Sequence, residues 1–118
     1  MIKIKKCLNS FRFAIKGIFQ FFRYENNARI HLLATILVIV LGILFKLERY
    51  EWLWVSLAVS LVWITEIINT SIEKLTDLIS PDYNPLAGKA KDLAAAAVLI
   101  AAVFALIVGM VIFLPRFL

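Results

Sequence analysis

The chain has 118 residues, 63% of them hydrophobic, with 13 Lys and Arg against 8 Asp and Glu and a formal net charge of +5. That apolar weight, with only 4 Gly and 3 Pro, argues against a water-soluble domain and for a small helical membrane protein. Three spans of about 20 residues each use up most of the length, which leaves no room for a separate soluble catalytic domain.

Residues 1–24 read as an amphipathic surface helix. Ile4, Leu8, Phe11, Ile15, Ile18 and Phe22 recur at spacings of three and four, while Lys5, Asn9, Arg12, Lys16 and Arg23 fall on another face. A basic side and exposed phenylalanines suit the headgroup boundary; the alternative is a helix packed on its own protein. Arg12, Lys16 and Arg23 interrupt the apolar pattern where a cleavable signal would be uninterrupted, so the segment is expected to be retained. Cys7 is the single cysteine, cannot form an intrachain disulfide, and is given no role.

The first span is placed at 28–46, uncharged from Ile30 to Phe45. Tyr50, Trp52 and Trp54 stand where an aromatic belt would meet headgroups, and the second span runs over 52–79. Pro81, Pro85 and Gly88 are read as breaking the helix into a loop, and the third span covers 88–114. The alanine run 94–97 reads as a close helix-packing face. Lys3, Lys5, Lys6, Arg12, Lys16, Arg23 and Arg29 precede the first span against Glu25 alone. By the positive-inside rule the N-terminus is cytoplasmic, the 80–90 loop is on the same side, and the C-terminus is outside, with Arg116 a weak dissent.

The second span carries the chemistry. In "EIINTSIEKLTD", residues 66–77, each position advances about 100°, so Asn69, Glu73 and Asp77 fall within roughly 60° of Glu66. Ile64, Ile67, Ile68, Ile72 and Leu75 take the rest of the helix, so this polar stripe must face protein or a watery cleft. Ionisable residues inside a membrane mark function by default; the competing reading is interhelical hydrogen bonding that holds a bundle together. Glu25, with Asn26, Asn27, Arg29 and His31, forms a second polar patch on the cytoplasmic side. Well-separated carboxylates such as Glu25 and Glu73, completed by water and phosphate, suit Mg2+. His31 is the only histidine, and a zinc site is not expected. In "GKAKDLAAAA", Lys89, Lys91 and Asp92 open the third span, where a helix N-terminus and lysines would welcome phosphate. A pair of snorkelling anchors would look the same.

Taken together, "ENNARIH", "EIINTSIEKLTD" and "AKDLAAAA", in that order and spacing, resemble the prokaryotic diacylglycerol kinase family, whose members include undecaprenol kinases. The resemblance covers essentially the whole chain. It implies an all-α membrane protein with an N-terminal surface helix and three transmembrane helices, assembled as a homotrimer in the bacterial cytoplasmic membrane with its site facing the cytoplasm. It also implies transfer of the ATP γ-phosphoryl group to a lipid hydroxyl. Carried over by position, Glu66 is the general base and contacts the lipid, Asn69 is the active-site asparagine, and Glu25 and Glu73 hold Mg2+ and nucleotide. Lys91 and Asp92 form the nucleotide-binding pair, and Asp82, Tyr83 and Asn84 lie where the family's loop touches nucleotide. Lys6 and Phe13 stand where one branch has an Arg and a Tyr on the surface helix. Ala94 and Ala95 stand where that branch has Gly-Ser, which places Ala95 beside the lipid and removes a hydroxyl suited to diacylglycerol. Those alanines, Asn27, His31 and the closing "VIFLPRFL" look more like the branch that phosphorylates undecaprenol. ATP, a membrane lipid and the bilayer are the partners implied, and no nucleic acid is expected. The alternatives from other classes are a small helical transporter using Glu66 and Glu73 for cations, and a non-catalytic assembly subunit.

Overall fold

In the computed structural model, residues 2–118 are described, and among them every regular element is helical. The order is α1 (Ile4–Tyr24), α2 (Asn26–Leu44), α3 (Arg49–Ile79) and α4 (Pro85–Phe117). The last three are long and apolar enough to cross a membrane, in keeping with the expected three spans preceded by an N-terminal helix. Contacts divide the chain into two units, one ending at Ile36 and one covering Leu37–Leu118.

In the first unit, α1 leaves its apolar face uncovered: Ile4, Leu8, Phe11, Ile15 and Phe19 are exposed, and only Phe21 of this helix is buried. Nothing within this unit packs on that face, which is the condition a headgroup boundary would satisfy. α1 ends where Glu25 turns extended, its backbone N–H still donating to the Phe21 carbonyl at 3.1 Å. The last carbonyls of a helix lack intrahelical donors. Arg29, one turn into α2, supplies two: its Nε donates to the Phe22 carbonyl at 3.2 Å and its Nη2 to that of Arg23 at 2.8 Å. The guanidinium also sits favourably at the negative end of the helix dipole. Ala28, inside the elbow, is fully buried.

In the second unit, α2 closes with a Schellman turn. Lys46 takes a left-handed backbone (φ 53°), its N–H donating to the Ile43 carbonyl at 3.2 Å, and the Leu47 N–H donates to Gly42 at 3.1 Å. Buried Leu47 folds back over Gly42, where an added Cβ would lie 3.0 Å from Leu47 Cδ1 and 2.5 Å from Trp52 Cη2. Alanine usually stabilises a helix interior relative to glycine; here the crowding reverses the sign. Gly42→Ala is expected to cost about 1–3 kcal/mol, the range for overpacking, read as a lowered unfolding midpoint in detergent. An unchanged midpoint would mean that Trp52 swings clear at no cost.

α3 starts with a reciprocal capping box: the Glu48 side chain accepts from the N3 backbone, and Glu51 Oε1 accepts from the Glu48 N–H at 3.0 Å. The break before α4 is shorter than the prolines and glycine suggest. Pro85 occupies the first helical turn, where its missing N–H is harmless, and Asn84 Oδ1 caps by accepting from the Leu86 N–H at 2.9 Å. Gly88 is already helical, leaving a connection of residues 80–84.

α3 and α4 make the main tertiary contact. Buried positions on α3 are Glu51, Val55, Ala58, Glu66 and Asn69, and on α4 Ala94, Ala101, Val108, Ile112 and Phe113. Steps of three, four and eight on α3 and mainly of seven and four on α4 keep these residues near one face of each helix, two seams meeting antiparallel. Of the alanine run, only Ala94 is buried, while Ala95, Ala96 and Ala97 are exposed, so small size serves packing at one of the four positions within this chain.

Candidate functional site

The polar stripe of α3 follows the depth of the helix. At 1.5 Å per residue, Glu66 lies roughly 21 Å along α3 from Trp52 and Glu73 roughly 31 Å, against a hydrocarbon core of about 30 Å. With the aromatic belt at one boundary, Glu66 falls inside the apolar layer and Glu73 and Asp77 reach the other boundary. Exposure changes in step. Glu66 and Asn69 are only 5% and 9% exposed, whereas Glu73 and Asp77 are exposed.

Two ion pairs mark the antiparallel register. At one end Arg116 Nη2 donates to Glu51 Oε1 at 2.8 Å, and at the other Lys91 Nζ pairs with Asp77. Interpolating between them brings Glu66 level with Ala101 and Glu73 level with Ala94, both buried and small. A buried carboxylate thus faces a residue that gives it room.

Asn69 is the pivot of the stripe. Its Nδ2 donates to Glu73 Oε1 at 3.3 Å, four residues on, and its buried Oδ1 has no hydrogen-bond partner among the described residues. Buried acceptors are nearly always satisfied, so an orphan on a membrane helix is a place where a donor from outside the chain would be favourable.

Beyond the end of α3, a cleft of about 160 Å³ is lined by Asp77, Asp82, Tyr83, Asn84, Gly88 and Lys91, among others. Four of the residues expected near nucleotide therefore share one wall. Asp92 does not join them: it lines a separate groove with Lys89 and Leu93, because successive residues on a helix point about 100° apart. Instead of pairing with Asp92, Lys91 meets Asp77. Ala95 is exposed on α4. Lys6, Phe13 and Glu25 belong to the first unit; Lys6 and Phe13 are exposed and Glu25 is half-buried at the α1–α2 elbow. A larger cavity of about 350 Å³ is lined only by apolar and small residues such as Val55, Ala58, Val108 and Phe113 and offers no reacting group.

Oxygen is the only kind of donor that Glu73 and its helix neighbours Asn69 and Asp77 would offer a cation, and Glu25, in the first unit, likewise offers a carboxylate. Among the described residues, no three His, Cys, Asp or Glu side chains gather into a metal-binding group. A cation held by Glu73 would take most of its shell from water and phosphate, which is how Mg2+ is usually bound, so the donor set fits that ion.

Sequence reasoning missed three features of this unit. The Glu51–Arg116 pair joins residues 65 positions apart and depends on helix register. The Asp77–Lys91 pair needs the hairpin geometry. The capping box was visible as Glu48 and Glu51 three residues apart.

Fold and site together define a small, three-span membrane protein that carries a carboxylate and amide stripe from the apolar layer to a lysine-bearing cleft at its edge. The chain belongs to the prokaryotic diacylglycerol kinase family, whose model matches residues 12–113. It is 38% identical over 114 residues to the undecaprenol kinase of Bacillus subtilis, covering 97% of this chain and 93% of that protein. It is 41% identical over 109 residues to a diacylglycerol kinase of Synechocystis, covering 92% of this chain but 62% of that relative. A diacylglycerol kinase of Escherichia coli K12 matches at 34% over 84 residues, 71% of this chain and 69% of its own length. The chain is a membrane lipid kinase, and its family implies ATP as the phosphoryl donor.

Proposed function

We propose that this kinase phosphorylates undecaprenol, using MgATP at the cytoplasmic face of the bacterial inner membrane and working as a homotrimer. The observation that carries the chemistry is the graded stripe on α3: a buried carboxylate, a buried amide with an unpartnered oxygen one turn on, and an exposed carboxylate one turn further. Phosphoryl transfer asks a protein mainly to position reactants and to offset charge. Glu66 takes the proton of the lipid hydroxyl as general base. Asn69, anchored through Nδ2 on Glu73, orients the hydroxyl or the base with Oδ1. Glu73 and Glu25 are the proposed carboxylate ligands for Mg2+, which when bound offsets phosphate charge. Lys91 offsets charge on the phosphates, and Asp82, Tyr83 and Asn84 line the nucleotide cleft, Asn84 while also capping α4. Asp92, Lys6 and Phe13 are assigned to nucleotide through the family motif alone. The basic surface helix supports the cytoplasmic N-terminus by the positive-inside rule.

The choice of lipid is supported by the 38% identity to an undecaprenol kinase over nearly the whole of both chains and by Ala94 and Ala95, which offer no hydroxyl. The test is competition: undecaprenol and diacylglycerol supplied together at equal mole fraction, with the labelled product identified. Undecaprenyl phosphate is expected to dominate several-fold. A predominance of phosphatidic acid would overturn the substrate assignment.

A further inference from the structure

We propose that Asp77 is a selectivity residue for the nucleotide: by holding Lys91 and lining the same cleft, it makes the cleft discriminate against nucleotide that carries no divalent cation. The inference rests on the proposed nucleotide role of the cleft. Asp77 ends the α3 stripe, Lys91 lies in the second turn of α4, and they pair across the short connection. Both side chains line the cleft together with Asp82. Its charged lining is two carboxylates and one ammonium, a net negative surface, although the expected ligand is a polyphosphate.

That contradiction resolves if the phosphates arrive with their charge already reduced by a cation. The Asp77 and Lys91 side chains are 64% and 39% exposed, and exposed pairs of this kind are weak. Lys91 can therefore leave Asp77 for a phosphate oxygen. Asp77 is then an unpaired carboxylate at the cleft wall, where it repels a bare triphosphate and tolerates one carrying Mg2+. A lysine with no counter-ion would bind either form and would allow occupancy by nucleotide that cannot react.

The test is equilibrium binding of labelled ATP to the purified full chain in detergent, once with Mg2+ and once with EDTA. Wild type is expected to prefer the Mg2+ condition. Asp77→Asn is expected to tighten binding in EDTA by about three- to fivefold, the scale of an exposed ion pair, with a smaller change in Mg2+, so the preference narrows. Raised salt should shrink the difference between variant and wild type. Asp77→Ser, which removes the charge in a smaller side chain, should behave alike and serves if the Asn variant assembles poorly. An unchanged preference in both variants, or weaker binding in both conditions, would overturn the proposal; the latter would make Asp77 a contact for nucleotide or metal. Wild type that binds no ATP would defeat this inference and the nucleotide role of the cleft together. Wild type that binds ATP with the expected preference but phosphorylates no lipid would defeat only the proposed reaction.

Discussion

Glu66→Gln is expected to leave the protein folded and inserted while lowering phosphate transfer by about 10²- to 10⁴-fold, the range for loss of a general base. Gln is nearly isosteric with Glu, so the packing of this position against the α4 seam should survive. The residue is only 5% exposed, and replacing a buried ionisable group by an amide of the same shape should not lower stability strongly. The expected pattern is a collapse in kcat with an unchanged unfolding midpoint and unchanged ATP binding. Wild-type turnover in this variant would remove Glu66 from the mechanism. A collapse of stability instead would favour the view that the stripe is interhelical glue.

The second large effect concerns the far end of the bundle. Arg116→Leu is expected to lower the unfolding midpoint clearly, because it leaves the Glu51 carboxylate without its charged partner at a partly buried site. Glu51 is 6% exposed, accepts from Arg116 Nη2 at 2.8 Å, and also closes the capping box of α3. Arg116 additionally donates to the Ile112 carbonyl, tying the end of α4 down just past Pro115. Arg116→Leu therefore strands a carboxylate near the edge of the apolar layer. Pairing it with Glu51→Gln, which keeps an acceptor for the Glu48 N–H, should recover most of the loss. Thermal unfolding in detergent reads both. If the single variant unfolds like wild type, water reaches Glu51 and the pair is ornamental.

The parts of this molecule that were legible in its sequence are those governed by local periodicity. Long apolar runs gave the three spans, and steps of three, four and seven put Glu66, Asn69, Glu73 and Asp77 on one face. The hydrogen bond between Asn69 and Glu73 follows from that spacing. What was not legible depends on partners distant in the chain or on backbone geometry that the residue type disguises. Lys46 adopts the left-handed position usually held by glycine, and nothing in "LFKLE" announces it. Arg29 looked like a topogenic charge and turned out to cap α1. Lys91 and Asp92 look like a unit because they are adjacent, yet adjacency on a helix separates them, and the residue that meets Lys91 comes from α3. The orphaned Asn69 oxygen could not be foreseen, because satisfaction is a property of the surroundings.

The most direct measurement is transfer from γ-labelled ATP by the purified protein in lipid nanodiscs containing undecaprenol or, separately, diacylglycerol, with Mg2+ or with EDTA, with folding verified in the same sample. Label in the lipid phase that requires Mg2+ is the expected result. Folded protein that labels neither undecaprenol nor diacylglycerol, with Mg2+ present, would contradict a lipid kinase built on the α3 carboxylates.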